Sequence, residues 1–272
     1  MLAKNEYSQL KSVIVGDATD ARIPVLDKSL RCVNYADKVD IEDIPAPGLY
    51  PPQVIDEANE DIDIFIEFLK AQNIKVLRPE KNKPAYYNFC PRDVLLTYGD
   101  KIVFAPMSIR ARQNEYLAYT KLLPKSLQTT MKITREDSLY NENCIDNKKV
   151  LALNETEPCF DAANVLRHNQ DVFYLVSNSG NLAGANALQN YLGPETKIHI
   201  IENVYSYMHL DSTMAILRDG LLLVNPDRIK DKMQLPKVLQ NWDIISAPQP
   251  IDIGHYPGHC NSSPWVSMNL LS

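Results

Sequence analysis

Three aspartates, Asp93, Asp161 and Asp211, begin three stretches of the 272-residue sequence that share one layout. In each stretch the acidic residue precedes an apolar run, a short polar turn and a second apolar run. Because the three positions are equivalent, we expect the carboxylates to converge in one pocket at the centre of a ring of repeats. Convergent carboxylates match a planar cation such as a guanidinium, whose N–H donors pair with carboxylate oxygens two at a time. The alternative for any one of them is a turn or cap residue.

His209 lies two residues before Asp211. If both stand on a strand, their side chains share one face and can enter the same site. Histidine is the natural proton shuttle near neutral pH, so His209 is a candidate general acid and base. The alternative is a histidine that is buried and hydrogen-bonded for structural reasons.

A second segment, residues 255–260, contains two histidines and a cysteine. A proline and a glycine between the histidines exclude a regular helix that presents both on one face. No fourth ligand accompanies them, so we predict a turn and no metal site. The sequence also lacks a phosphate-binding loop and a dinucleotide fingerprint.

The three stretches are predicted to form β-hairpins, because strand-like runs flank each polar turn. A helix and a further strand complete the repeat, and the first helix shows an apolar face of period 3.6. The hairpins cover residues 93–105, 161–176 and 211–224, with turns at Gly99-Asp100, Asn169-Gln170 and Asp219-Gly220. The helices cover residues 53–72, 185–192 and 235–240, and the strands after them cover residues 74–77, 198–201 and 244–245.

Two partial copies flank these repeats. Residues 10–15 resemble part of a first copy, and residues 265–271 resemble the first strand of a fifth. A half hairpin leaves backbone groups and an apolar face without partners, so we expect a missing C-terminal tail. The alternative is that this strand closes a sheet. The exposed edge of an unfinished repeat also predicts self-association into a homo-oligomer, or poor solubility.

The composition is that of an ordinary globular protein, with 45% hydrophobic and 23% charged residues and a net charge of -6. No long basic run is present, so nucleic acid and an anionic membrane are not expected as partners. The N-terminus is charged where a signal peptide needs an apolar core. Five scattered cysteines suggest neither a disulfide framework nor a zinc ribbon. We therefore expect a reduced, cytoplasmic protein.

Seven motifs in order resemble the L-arginine:glycine amidinotransferases, within the guanidino-modifying superfamily that includes the arginine deiminases. They are Gly48-Leu-Tyr-Pro51, Cys90-Pro-Arg-Asp-Val94, Ala105-Pro-Met-Ser-Ile-Arg-Ala-Arg112 with Glu115-Tyr116, Glu157-Pro-Cys-Phe-Asp-Ala-Ala163, Met208-His-Leu-Asp-Ser-Thr213, Asn225-Pro-Asp-Arg228 and Ser262-Ser-Pro-Trp-Val-Ser-Met-Asn269. The resemblance implies an α/β fold, a five-bladed α/β propeller (pentein) of strand–strand–helix–strand repeats. The whole chain, residues 1–272, would then be a single domain whose fifth blade is incomplete.

The resemblance also implies an activity: transfer of the amidino group of arginine to an amine such as glycine, through an amidino-cysteine and without a cofactor. Arginine and the acceptor amine would be small-molecule partners. Asp161 and His209 match the family's catalytic aspartate and histidine. The matches to its substrate-binding residues are Asp93, Asp211, Arg228, Met208, Ser262 and Ser263.

The family's catalytic cysteine sits in a Gly-Gly-x-x-His-Cys motif near its C-terminus. Cys260 follows a glycine and a histidine but precedes the Ser262-Ser-Pro-Trp motif, so its position argues against this role. We expect the chain to lack its nucleophile and to be inactive as it stands. Asn164 replaces a usual acidic residue, which puts the acceptor in doubt. The alternatives are a guanidine hydrolase, or a catalytically inactive relative that binds arginine or a protein.

Overall fold

The computed structural model describes residues 3–38, 40–81, 86–131, 133–251 and 263–270. Its strands are β1 (Ser12–Ile14), β2 (Arg22–Ile23), β3 (Gly48–Leu49), β4 (Lys75–Leu77), β5 (Leu95–Tyr98), β6 (Lys101–Phe104), β7 (Gln128–Thr130), β8 (Val165–His168), β9 (Asp171–Leu175), β10 (Lys197–Ile201), β11 (Met214–Arg218), β12 (Leu221–Val224) and β13 (Asp243–Ser246). Its α-helices are α1 (Lys28–Val33), α2 (Pro52–Ala71), α3 (Pro91–Val94) and α4 (Leu182–Leu192). Within these ranges no helix is both long and apolar enough to span a bilayer.

The three predicted hairpins are confirmed. Each forms a three-stranded sheet in which two antiparallel strands are joined by a third, parallel strand, in the orders β5-β6-β7, β8-β9-β10 and β11-β12-β13. A residue with positive φ closes each turn: Gly99 at 63°, Asn169 at 56° and Gly220 at 74°. Glycine and asparagine tolerate this left-handed conformation, which matches the twist of hairpin strands. A parallel pair β1-β4 and a short antiparallel pair β2-β3 complete the described sheets.

Neighbouring sheets pack face to face through alternate residues of the central strands. In β9, Val172 and Tyr174 join the core that contains residues of β5 and β6. Phe173 and Leu175, which point the other way, join the core that contains residues of β11 and β12. The sheet β8-β9-β10 is therefore buried on both sides. The three sheets follow one another in space in the order in which they occur along the chain.

The helix predicted at residues 53–72 is confirmed as α2, which packs Ile66 and Leu69 against Val15. The second helix begins at Leu182, three residues before the predicted start, because the side chain of Asn181 caps it by accepting from the Gly184 backbone N–H.

The end of α4 is closed from a neighbouring repeat. Lys101 of β6 donates through Nζ to the carbonyls of Tyr191 and Leu192, at 2.8 and 2.7 Å. These carbonyls have no intrahelical partner, and a cation is favoured at this end of the helix dipole. The first hairpin thus caps the helix of the second repeat.

The helix predicted at residues 235–240 is wrong. The chain forms two short 3₁₀ turns there, Lys232–Gln234 and Lys237–Leu239. Leu235 between them is extended, with φ -86° and ψ 153°. The cause is Pro236, which lacks an N–H and disfavours the helical conformation of the residue before it.

The strand predicted at residues 265–271 is also wrong over the described part of that segment. Pro264–Met268 form a 3₁₀ helix that buries Trp265 and Met268. Ser263 begins it, because its side chain accepts from the Trp265 backbone N–H and proline suits the first helical position. The apolar run therefore follows a helix-start signal that the strand pattern concealed.

Candidate functional site

Two of the predicted aspartates meet at His209. Its Nε2 atom lies 3.1 Å from Oδ2 of Asp161, and its Nδ1 atom lies 3.8 Å from Oδ1 of Asp93. Both aspartates stand in helical turns directly before a hairpin, Asp93 in α3 and Asp161 at the cap of the turn Ala162–Asn164. The equivalence of the hairpins therefore places the two carboxylates on either side of one imidazole.

The second oxygen of Asp161 is held by the protein. Oδ1 accepts from both the backbone N–H and the hydroxyl of Ser108, each at 3.1 Å. Burial would raise the pKa of Asp161, but the hydrogen bond and charge of His209, with Arg112 and Ser108, lower it below its usual value. Asp161 is thus an ionised, oriented partner for the imidazole.

The carboxylates set the charge of His209. Burial alone would lower its pKa, but the charges of Asp93, Asp211 and Asp161 and the hydrogen bond that His209 donates to Asp161 raise it to about 9. His209 is therefore an imidazolium at neutral pH. The pKa of Asp211 is raised, chiefly by burial, although His209 and Arg92 pull it down.

His209 and Asp211 do not share a strand face, so that part of the prediction is wrong. Both precede β11, which begins at Met214: His209 lies in an irregular segment and Asp211 begins the turn that follows it. The backbone N–H of Leu210 donates to the carbonyl of Ala163, next to the turn that carries Asp161. This backbone hydrogen bond, rather than strand alternation, brings the imidazole to its partner.

Arg228 is surrounded by hydrogen-bond acceptors of Ser212, Thr213 and Ser263. Its Nη1 atom donates to the Ser212 carbonyl and hydroxyl and to the Thr213 hydroxyl, and its Nη2 atom donates to the Ser263 hydroxyl at 3.1 Å. The guanidinium stacks 3.4 Å from the ring centroid of Tyr205. Burial lowers the pKa of Arg228. An anion bound here would offset that cost.

Met208 and Ser262 are the remaining predicted site residues. Met208 is half-buried and adjoins His209 along the chain. Ser262 and Cys260 lie outside the described residues.

A buried ion pair missed by the sequence reasoning supports Asp93. Arg112 donates from Nη1 to Oδ2 of Asp93 at 2.9 Å and from Nε to Oε2 of Glu115 at 2.8 Å. Arg112 and Glu115 are only 4% and 1% exposed. Two opposite charges three residues apart in a segment next to a strand were the available signal. Their partner Asp93 is nineteen residues away from Arg112, beyond the reach of any local pattern.

The described cysteines do not offer an evident thiolate at this cluster. Cys90 is close enough to feel the charges of Asp93 and Asp211, and burial together with those charges raises its pKa. Burial raises the pKa of Cys159 to about 12. Cys32 and Cys144 are buried in a separate core, with Cys144 Sγ 3.6 Å from the Cys32 carbonyl.

Asn164 lies behind the site. Its amide nitrogen donates to the Leu175 carbonyl and the Ser177 hydroxyl, and its oxygen accepts from the Ser179 hydroxyl. The residue has no exposed surface. Asn164 therefore spends its hydrogen bonds on the hairpin behind Asp161, and its effect on the acceptor stays a prediction.

The chain is similar to known amidinotransferases over nearly its whole length. No family model matches it. An inosamine-phosphate amidinotransferase from Streptomyces glaucescens is 37% identical over 285 residues, covering 98% of the chain and 81% of the relative. The mitochondrial glycine amidinotransferase of Xenopus tropicalis is 31% identical over 296 residues, covering 98% of the chain and 70% of the relative.

Solved structures agree with these relatives. An inosamine-phosphate amidinotransferase from Streptomyces griseus superposes with a TM-score of 0.90 at 36% identity, covering 98% of the chain and 81% of that structure. A dimethylarginine dimethylaminohydrolase from Pseudomonas aeruginosa, at 13% identity and a TM-score of 0.57, covers 88% of the chain and 76% of that structure and shares the fold. With identities above 30% over 98% of its length and the histidine between two aspartates in place, the chain belongs to the amidinotransferase family.

Proposed function

We propose that this chain provides the donor-binding half of an amidinotransferase site, which takes the amidino group of arginine for transfer to an amine. The observation that carries the proposal is His209, held at 3.1 Å by Asp161 and faced at 3.8 Å by Asp93. Asp93 and Asp211 would hold the guanidinium, since carboxylates match its fork of donors. Arg228, which is half-buried and stacked on Tyr205, would meet the carboxylate of arginine.

His209 would move the protons. A thiolate attacks the guanidinium carbon, the bond from that carbon to the departing nitrogen breaks, and His209 donates a proton to ornithine as it leaves. The neutral imidazole then takes a proton from the incoming amine, which attacks the amidino-cysteine and releases the thiolate. An imidazolium at neutral pH supports the first step, and its hydrogen bond to Asp161 supports its orientation in both.

The acceptor is proposed as a small amine, with glycine as the first candidate. The relatives named above are called inosamine-phosphate and glycine amidinotransferases, and identity is higher with the first, 37% against 31%. An acceptor panel should therefore include glycine and an amino-cyclitol phosphate.

We further propose the five-bladed ring for this chain as a single domain. In support, three sheets of like topology pack in sequence, β1-β4 forms a parallel pair like the last two strands of each, and Pro264–Met268 form a helical turn like those that carry Asp93 and Asp161. A helical turn, rather than a strand, is what precedes the first two hairpins at this position.

We also propose that the chain alone binds arginine without turnover. Thiolate is required because a guanidinium carbon resists weaker nucleophiles. Cys90, the described cysteine that feels the charges of Asp93 and Asp211, has a raised pKa and is a neutral thiol at pH 7. Cys260 is the remaining cysteine of the sequence.

The test combines calorimetry with product analysis. We expect arginine to bind, and Asp161→Asn to weaken binding or change its pH dependence. Asp171→Asn is the matched control. It alters another histidine–aspartate pair outside the site, in which Oδ1 of Asp171 lies 2.6 Å from Nε2 of His199. An absence of arginine binding would overturn the proposal, and citrulline as product would replace transfer by hydrolysis. Ornithine with an amidinated acceptor, or an amidino adduct on Cys260 in intact-mass analysis, would overturn the absence of turnover alone.

A further inference from the structure

Arg112 places a guanidinium of the protein itself against the carboxylate that is proposed to bind the substrate guanidinium. Its fork spans two carboxylates, Asp93 through Nη1 at 2.9 Å and Glu115 through Nε at 2.8 Å. It occupies Oδ2 of Asp93 and leaves Oδ1, the oxygen 3.8 Å from His209 Nδ1, turned towards the site. Arg112 therefore determines which oxygen of the Asp93 carboxylate is free to contact the site.

The other end of this bridge is fixed to the backbone. Oε1 of Glu115 accepts from the backbone N–H groups of Tyr86 and Tyr87, at 2.9 and 2.7 Å. The guanidinium of Arg112 lies 5.0 Å from the ring centroid of Tyr87, within the range of a cation–π contact. Two backbone donors, one carboxylate and one ring thus orient the arginine before it reaches Asp93.

Stability alone accounts poorly for this arrangement. Burying an ion pair costs solvation that the mutual attraction often only balances. In the described part of the chain, Nη2 of Arg112 has no hydrogen-bond partner, which adds a further cost. A group that is expensive to bury and incompletely paired is better explained by what it does to its neighbour.

We propose that Arg112 is a positioning residue, which locks the Asp93 carboxylate so that its free oxygen faces His209 and the incoming guanidinium. This inference rests on the proposed function for its purpose, but the geometry that it assigns can be tested without any ligand. Lysine cannot replace the arginine, because a single ammonium group does not span two carboxylates as a planar fork does.

The first test is Arg112→Lys, followed by NMR titration of ¹⁵N-labelled histidine, with the His209 signal assigned through His209→Gln. The charge of Asp93 is the largest influence raising the pKa of His209 to about 9. Because lysine keeps the positive charge, a change in that pKa reports the position of Asp93. We expect the pKa of His209 to fall by about 1, the shift typical of an opposite charge lost from within 4–6 Å. Arginine affinity should fall about tenfold, equivalent to about 1.4 kcal/mol.

The control is Arg167→Lys, which alters a half-buried arginine that donates to Glu6 at 2.7 Å. It should lower stability while leaving the His209 titration and arginine affinity within about twofold of wild type. If Arg112→Lys does not fold, Glu115→Gln removes the anchor of the same fork and should change both readouts in the same direction.

Two results would overturn the inference: an unchanged His209 pKa in Arg112→Lys, or an equal change in Arg167→Lys. A wild-type protein that fails to bind arginine would instead refute the proposed function, while the ligand-free titration would still decide the role of Arg112.

Discussion

The charge of His209 makes a quantitative prediction about stability. Burial opposes the charged imidazole, but Asp93 and the hydrogen bond donated to Asp161 outweigh it, so folding raises the pKa of His209 from 6.5 to about 9. One pKa unit corresponds to about 1.4 kcal/mol, so the folded state gains about 3 kcal/mol from the protonated histidine. Because the folded pKa is the higher one, this gain is fully present below pH 6.5 and disappears as the pH rises through 9.

The assay is urea unfolding of wild type and His209→Gln at five pH values from 6 to 10. The difference in unfolding free energy between the two proteins should decrease by about 3 kcal/mol across the range, most steeply between pH 6.5 and 9. Taking the difference cancels groups that titrate in both proteins, such as the cysteines. His199→Gln serves as the control, because it removes a histidine bonded to Asp171 outside the site and should leave the wild-type slope in place. A difference that stays constant from pH 6 to 10 would refute the assignment of an imidazolium held by Asp93 and Asp161.

Three further predictions follow from the charged groups of the structure. Arginine binding should release a fraction of one proton at pH 8, because a guanidinium beside Asp93 and Asp211 neutralises the charges that raise the pKa of His209. Calorimetry in buffers of different ionisation enthalpy measures this proton release, and its absence would count against binding at these carboxylates. As the pH is lowered, arginine affinity should begin to fall at a higher pH than protonation of an ordinary aspartate would produce, because burial raises the pKa of Asp211. Asp211→Asn should bind arginine weakly at every pH. The same loss of affinity at low pH in that variant would contradict the assignment. Lys101→Met should lower the unfolding free energy measured in urea by about 1–3 kcal/mol, because two hydrogen bonds at the end of α4 are lost. The control Lys70→Met breaks an exposed ion pair with Glu67 and should change stability by less than about 0.5 kcal/mol. Equal effects of the two variants would show that the cap is not stabilising.

The parts of the fold that the sequence predicts are those coded by short-range chemistry. The hairpins follow from period-two burial and from glycine or asparagine in the turns, and α2 follows from its apolar face. The two wrongly predicted elements also have local causes: proline and helix-cap residues overrode the structure that the hydrophobic pattern indicated. Pro236 breaks an apolar helix, and Ser263 with Pro264 starts a helical turn where an apolar run suggested a strand.

The site divides in a similar way. Equivalent positions in the repeats predicted that Asp93 and Asp161 would approach one another, and the structure brings both to His209. The Arg112–Glu115 bridge was not predicted, since the pairing of Arg112 with Asp93 depends on how α3 packs against the segment after β6. Only the folded chain specifies which buried arginine meets which carboxylate.

The lysine from the first hairpin that closes the end of α4 has a consequence for how the molecule assembles. Lys101 and the carbonyls of Tyr191 and Leu192 belong to different repeats. The last turn of α4 is therefore stabilised by a side chain of the preceding repeat, so the stabilities of the two repeats are coupled. A chain cut between these repeats would lose more than the contacts at the cut, because the new terminal helix would fray. Adjacent units should unfold together in hydrogen exchange, and a repeat from this protein should not be exchangeable as an independent module.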